Sequence, residues 1–156
     1  MKRRILLVDD DLAVLLTLKA VLELHGFEVE TAVSSTEALA RMESGVYQMV
    51  ISDLRMETEN AGLEVIRRAH RQAYDPATAL LTAYAPPEER GRGEHVAGEL
   101  DGEDWSGGNP DSVLIKPLGT SDLLRQVEAL LVSHADKQLR QRNSASKAQE
   151  TKHRAG

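Results

Sequence analysis

The sequence predicts an α/β fold in which a five-stranded parallel sheet carries helices on both faces. Short aliphatic runs alternate along the chain with longer segments whose apolar residues recur every three or four positions. Strands and helices that alternate in this way are typical of a doubly wound sheet. The chain has 156 residues, of which 41% are apolar, and this is enough for one domain with a single substantial core.

The first predicted strand and helix have the clearest patterns. Ile5–Val8 is a continuous aliphatic run, which is typical of a strand buried on both faces. Leu12–Leu24 places leucines at helical spacing, and the dipeptide His25-Gly26 is a suitable C-terminal stop for that helix.

The next three elements are predicted from weaker patterns. Glu28–Ala32 alternates between polar and apolar residues and is predicted as the second strand. A serine, Ser34 or Ser35, is expected to cap a helix that extends to about Met42. Tyr47–Ser52 is predicted as the third strand, and it is followed at once by an acidic residue.

The second half of the chain repeats the alternation. Gly62–Ala73 is predicted as an amphipathic helix, Thr78–Thr82 as the fourth strand and Val113–Ile115 as the fifth. Thr120 or Ser121 then caps a final helix with leucine and valine at helical spacing.

The segment 85–112 departs from this alternation. It contains six of the 11 glycines and three of the five prolines, and it is longer than a crossover between parallel strands requires. We therefore predict a partly structured insertion in place of an ordinary helix.

Composition excludes several functions. The chain has no cysteine, which excludes disulfides, thiolate zinc sites and a cysteine nucleophile. Its net charge of −6 argues against a general nucleic-acid coat. No apolar run approaches the length of a membrane span and no secretory signal is present, so a cytoplasmic protein without membrane insertion is expected.

The C-terminal segment 133–156 differs in charge from the rest of the chain. It holds six basic and two acidic residues, whereas residues 1–132 hold 13 basic and 23 acidic ones. We predict a domain over 1–132 and a polar, basic tail over 133–156, of which residues 133–142 are rich in helix formers and extend the final helix.

Chemically useful side chains follow the predicted strands. Asp9, Asp10 and Asp11 come directly after the first strand, and Asp53 follows the third. Because ligands of open α/β sheets bind beyond the carboxyl ends of the strands, these acids should converge. Clustered carboxylates need a neutralising cation, for which Mg²⁺ is suited, and a carboxylate beside Mg²⁺ can attack a phosphoryl group.

Two further strand ends complete the predicted site. Thr82 ends the fourth strand and offers a hydroxyl to a phosphoryl oxygen. Lys116 follows the fifth strand, and Pro117 restricts its backbone and helps to aim it inward. A lysine in this place would stabilise charge on the transferred oxygens.

Five motifs in this order resemble the receiver domain of two-component response regulators. The resemblance covers about residues 2–132, and it implies a (βα)5, flavodoxin-like fold with strand order 2-1-3-4-5. The motifs are ILLVDDD at 5–11, VISDLRM at 50–56, GLEVIRRA at 62–69, ALLTAYA at 79–85 and VLIKPL at 113–118.

The resemblance also implies roles for individual residues. Asp53 matches the phosphoacceptor, Thr82 the switch hydroxyl, Lys116 the phosphoryl-contacting lysine and Ala83 the small residue that leaves the phosphoryl group approachable. Mg²⁺ is the implied cofactor. The positions that match its ligands are Asp10, Asp9 (often through water), Asp53 and the backbone carbonyl of Arg55.

Three features depart from the family pattern. The proline expected four residues after Asp53 is Glu57, and the loop to Gly62 is one residue longer than usual. Val113 stands where an aromatic residue is common, and the insertion 85–112 replaces the usual fourth helix. We therefore expect the phosphorylation chemistry to be kept and the partner-binding face to be altered.

The function implied is signalling rather than enzymatic turnover. A histidine kinase or histidine phosphotransfer protein would donate the phosphoryl group, and a downstream protein that the sequence does not identify would read the change. A homodimer stays open, and no direct DNA binding is expected, since only the 24-residue tail 133–156 follows the apolar part of the final helix.

Two alternatives belong to other functional classes. A Mg²⁺-dependent phosphohydrolase would also form an aspartyl phosphate, but such enzymes usually carry an acid where this chain has Arg55. A binding module independent of phosphorylation would keep the acidic pocket without using it.

Overall fold

A computed structural model of the chain describes residues 3–56, 58, 60–82, 110–115 and 119–155, the last range through backbone alone from residue 144. The strands are β1 (Arg4–Val8), β2 (Glu28–Ala32), β3 (Met49–Asp53), β4 (Ala77–Thr82) and β5 (Ser112–Ile115). The helices among these residues are α1 (Leu12–Leu24), α2 (Ser35–Ser44), α3 (Ala61–His70) and α4 (Thr120–Ala155). Most of the predicted insertion, 85–109, lies outside the described residues.

The five strands form one parallel sheet in the order β2-β1-β3-β4-β5, which confirms the predicted fold class and strand order. β1 lies between β2 and β3, and Val8 is paired with Ala32 on one side and with Ser52 on the other. The strand order therefore reverses next to β1, where α/β proteins of this type have their binding crevice.

The sheet is buried on both faces because alternate residues of each strand face opposite layers. In β1, Ile5 and Leu7 belong to the core beneath α1 and α4, whereas Leu6 and Val8 belong to the core beneath α2 and α3. All four side chains are fully buried. The unbroken aliphatic pattern of this strand thus reflects helices on both sides of the sheet.

The ends of the first two helices agree with the prediction. Gly26, just after α1, has φ of +91°, a conformation that glycine adopts without strain. Ser34 caps α2, and its hydroxyl accepts a hydrogen bond from the Glu37 N–H at 3.1 Å.

Helix α3 and strand β3 each differ from the prediction by more than one residue at one end and by a single residue at the other. The helix ends at His70 instead of Ala73, because the next N–H groups bond to carbonyls three residues back and tighten the chain into turns. These turns lead to Asp75, whose φ is +45°. Strand β3 begins at Met49, so the predicted start at Tyr47 was wrong, although the Tyr47 side chain is buried.

Helix α4 is longer than the apolar pattern alone indicates. Among the side chains of this helix that the structure describes, Leu131 is the last buried one, yet the helix runs on to Ala155 instead of stopping near residue 142. The sequence contains no glycine or proline between Thr120 and Ala155, so nothing in the chain interrupts the helix.

No helix in the described part of the chain is both long and apolar enough to cross a membrane.

Candidate functional site

The register of the sheet brings together the acids predicted from the strand ends. Val8 is paired with Ser52, so Asp9 and Asp53 are the next residues on two adjacent strands. Adjacent strands lie about 4.8 Å apart. One carboxylate oxygen from each of Asp9, Asp10 and Asp53 lies within 4.8 Å of the other two.

The three carboxylates differ in exposure. Asp9 is completely buried and Asp53 is 8% exposed, whereas Asp10 lies at the surface. The cluster therefore reaches the protein surface through Asp10.

This donor set fits Mg²⁺. The ion prefers carboxylate and carbonyl oxygens at about 2.1 Å, so opposite ligands on one ion lie about 4.2 Å apart. The three carboxylate oxygens lie within 4.8 Å of one another, which is close to that value. Arg55, whose carbonyl was predicted as a further ligand, is exposed in the loop two residues beyond Asp53.

The structure brings Thr82 to the same edge of the sheet. Asp53 is paired with Leu81 of β4, and Thr82 is the next residue and the last of that strand. Thr82 is 8% exposed, and its place at the end of β4 puts it at the same edge of the sheet as Asp53. The predicted Ala83 and Lys116 lie outside the described residues, so their roles stay predictions.

Comparison with known proteins decides the family. The family model of the response regulator receiver domain matches residues 5–98 of this chain. The chain belongs to this family.

Relatives of this receiver domain are regulators about twice its length. A transcriptional regulatory protein of Haemophilus influenzae, a CpxR homolog, is 33% identical over 128 residues, which are 82% of this chain and 50% of its own. The response regulator MprA of Mycobacterium bovis is 36% identical over 131 residues, 84% of this chain and 51% of its own. The chain thus spans about half the length of these curated relatives.

Solved structures of response regulators share the fold of this chain over nearly their whole length. A CheY-like receiver domain protein from Methanospirillum hungatei has a TM-score of 0.68 and 28% identity, with 88% of this chain and 99% of that chain covered. The response regulator TrrA of Thermotoga maritima, solved in complex with Mg²⁺ and BeF, has a TM-score of 0.64 and 30% identity, with 82% and 98% covered.

Asp11 organises the acidic pocket of the receiver domain without being part of the carboxylate cluster. One of its carboxylate oxygens caps α1 and accepts hydrogen bonds from the N–H groups of Ala13 at 2.9 Å and Val14 at 3.4 Å. Its own N–H donates to the carboxylate of Asp9 at 2.9 Å. The helix cap therefore fixes the backbone that orients Asp9.

The backbone of Asp53 is fixed by close packing against α3. The hydroxyl of Ser52 donates to the Asp53 carbonyl at 3.0 Å, and the N–H of Gly62 donates to the Leu54 carbonyl at 2.9 Å. A Cβ atom at Gly62 would lie 2.1 Å from the Asp53 carbonyl oxygen and 2.6 Å from the Leu54 Cα. Only glycine lets the first turn of α3 approach this strand end so closely.

Gly62→Ala should destabilise the receiver domain by about 3 kcal/mol or more, because rigid backbone surrounds the added methyl group. Urea unfolding measures this change. Gly119→Ala is the matched control, since among the described residues its Cβ would meet the Asp122 carboxylate at an ordinary contact distance of 3.6 Å, and it should change stability little. Equal effects of the two substitutions would contradict the close approach at Gly62.

No specific role was predicted for Asp11, Ser52 or Gly62. An acid directly before an apolar helical segment is a usual N-cap, so the role of Asp11 as a cap could have been predicted. No local signal identifies the contacts of Ser52 and Gly62, because they depend on how α3 lies against β3.

Proposed function

We propose that this receiver domain accepts a phosphoryl group on Asp53 with the help of Mg²⁺ and that phosphorylation changes a protein-binding surface. The observation that carries the proposal is the cluster of Asp9, Asp10 and Asp53 at the carboxyl edge of the sheet. Family membership supports it, since receiver domains are signalling modules of two-component systems.

The reaction moves a phosphoryl group from a donor, in the cell the imidazole nitrogen of a phosphohistidine, to a carboxylate oxygen of Asp53. A carboxylate oxygen of Asp53 attacks phosphorus, the bond from phosphorus to the donor breaks, and the donor leaves with the bonding electron pair. Mg²⁺ held by the three acids and the Arg55 carbonyl would offset the negative charge of both the acids and the phosphoryl oxygens.

Two neighbouring strands supply further groups. Thr82 follows the residue paired with Asp53, so its hydroxyl can donate a hydrogen bond to an oxygen of the new phosphoryl group. Lys116 follows β5 in sequence and would pair with another oxygen. A hydroxyl that turns toward the phosphoryl group changes the surface near β4, and this provides the switch.

The donor we propose is a phosphohistidine of a histidine kinase or a phosphotransfer protein. The relatives named above are transcriptional and response regulators, which fits a downstream role for a phosphorylated receiver. The downstream protein is not identified by the residues of this chain.

Acetyl phosphate tests the proposal, because it donates a phosphoryl group and releases acetate. Protein incubated with acetyl phosphate and Mg²⁺ should gain the mass of one phosphoryl group, and the adduct should be labile at alkaline pH. With EDTA in place of Mg²⁺ the gain should fall by at least about tenfold. Intact-protein mass spectrometry measures both.

The same sample separates the alternatives. Rapid release of phosphate from small phosphate monoesters would identify a phosphohydrolase and contradict the proposal. Wild-type protein that gains no mass at any Mg²⁺ concentration would identify a binding module that does not use its acidic pocket.

A further inference from the structure

His134 lies on α4 where this helix packs against the other end of the sheet, away from Asp53. Its side chain is only 12% exposed. It lies between two acids from separate parts of the chain: Asp75 in the turn between α3 and β4, and Asp111 directly before β5. This is a compact polar contact between α4 and two segments distant in sequence.

The partner of Nε2 determines where a neutral His134 ring carries its proton. Nε2 lies 2.8 Å from the backbone carbonyl oxygen of Asp75. A carbonyl oxygen can only accept, so Nε2 must be the donor. In a neutral imidazole the other nitrogen, Nδ1, then has no proton.

Nδ1 faces a second acceptor. It is buried, makes no hydrogen bond within the described part of the chain, and lies 3.6 Å from a carboxylate oxygen of Asp111. That same oxygen accepts the Thr78 N–H at 2.8 Å and the Thr78 hydroxyl at 3.2 Å, so it acts as a hydrogen-bond acceptor. Two acceptors therefore face each other when the imidazole is neutral.

Protonation of the ring removes this mismatch. An imidazolium donates from both nitrogens, so Nε2 keeps its bond to the Asp75 carbonyl and Nδ1 gains a proton directed toward Asp111. The carboxylate of Asp75 lies 3.6 Å from Nε2 and adds a second negative charge.

The next turn of α4 contacts the same segment through Gln138, a side chain that does not titrate. The amide of Gln138 donates to the Asp75 carbonyl at 3.1 Å and to the Asp75 carboxylate at 3.0 Å. The contact between α4 and the α3–β4 turn thus contains a constant part at Gln138 and a proton-dependent part at His134.

A cation and two phenols also lie near His134. A cavity of about 220 Å³ next to it is also lined by Arg3, Tyr47 and Tyr74. Burial raises the pKa of Tyr74, and burial together with a hydrogen bond to Glu30 raises that of Tyr47, so both phenols stay neutral. The positive charge of Arg3 opposes a positive imidazole ring. The carboxylates of Asp75 and Asp111, however, each lie 3.6 Å from a ring nitrogen of His134.

We propose that His134 is a proton-dependent latch that holds α4 against the α3–β4 turn and the start of β5. Protonation closes the latch, and deprotonation leaves α4 held through Gln138 and its apolar residues alone. The latch does not depend on phosphorylation. Thr78, which anchors Asp111, lies four residues, or about 13 Å, before Thr82 along β4.

The pH dependence of stability tests the latch. Unfolding by heat is followed at pH 6 and pH 8, an interval that brackets the titration of an ordinary imidazole and lies above that of ordinary carboxyl groups. When the pH falls from 8 to 6, the Tm of the wild type should rise by about 2–4 °C relative to the Tm of His134→Gln. Amide hydrogen exchange in residues 135–143, corrected for its intrinsic rate, should be roughly fivefold slower at pH 6.

Two variants make the result specific. His25→Gln removes an exposed histidine whose ring bonds to the Val21 carbonyl of α1, and it should keep the full shift. Asp111→Asn removes the charge that faces Nδ1, so this variant should lose most of the rise in Tm between pH 8 and pH 6. It therefore tests the proposal even if His134→Gln does not fold.

The proposal would be overturned by a wild type whose Tm and exchange do not change between the two pH values. It would equally be overturned if His134→Gln or Asp111→Asn kept the shift of the wild type. Labelling by acetyl phosphate should be the same in all these variants, so failure of the latch and failure of the phosphorylation proposal are distinguishable.

Discussion

Replacing Asp53 by asparagine should abolish phosphorylation by acetyl phosphate, with a loss of at least about a thousandfold in labelling rate. The amide has nearly the shape of the carboxylate but is a far weaker nucleophile toward phosphorus. Because Asp53 ends β3 with a side chain that is 8% exposed, the variant should keep its fold. Intact mass after a fixed time with Mg²⁺ measures the effect.

Asp136→Asn is the matched control for this substitution. Asp136 is an exposed acid of α4 that pairs with Arg140, far in sequence from the strand ends. Its replacement should leave labelling unchanged. An Asp53→Asn protein that is still labelled at the rate of the control would show that the phosphoryl group goes elsewhere.

Removing one acid of the cluster should weaken the response to Mg²⁺. An ion that binds only the folded state stabilises it, by about 2.7 kcal/mol at a hundred times its Kd, which corresponds to roughly 5–10 °C in Tm for a domain of this size. Asp10→Asn should raise the Kd at least about tenfold and so remove about half of this shift or more. Differential scanning fluorimetry over a Mg²⁺ series measures it.

Without the ion, Asp10→Asn should change Tm in the opposite direction. Three neighbouring carboxylates repel one another, so Asp10→Asn should raise Tm slightly in EDTA. A variant that was merely destabilised would be lower in both conditions. This reversal separates the loss of a ligand from general damage to the fold.

Asp11→Asn is the matched control for the metal site. Asparagine caps helices as well as aspartate does, so the hydrogen bond that orients Asp9 should be kept. The Mg²⁺ response should therefore resemble that of the wild type. An equal loss in Asp10→Asn and Asp11→Asn would mean that net charge, and not ligation, controls binding of the ion.

The parts of the site on strand ends could be predicted from the sequence. Aliphatic runs mark β1 and β3, and parallel strands place their ends at one edge, so Asp9 and Asp53 had to approach each other. The order of the strands came from the family resemblance, because periodicity alone does not say which strands are neighbours.

Features that depend on packing between distant segments could not be predicted in the same way. Gly62 looks like an ordinary glycine until α3 is placed on the backbone of Asp53 and Leu54. His134 lies 59 residues from Asp75, and nothing in the local sequence of α4 indicates an acidic partner. The boundary at Tyr47 failed because an apolar residue can be buried before a strand as well as inside it.

The most direct test is the position of the phosphoryl group on the wild-type protein. Tandem mass spectrometry of protein labelled by acetyl phosphate and Mg²⁺, with the acyl phosphate first reduced by borohydride, identifies the modified residue. We expect a single modified side chain, Asp53, and no modification when EDTA replaces Mg²⁺. A phosphoryl group on another residue with Asp53 unmodified would contradict a pocket in which Asp9, Asp10 and Asp53 act together.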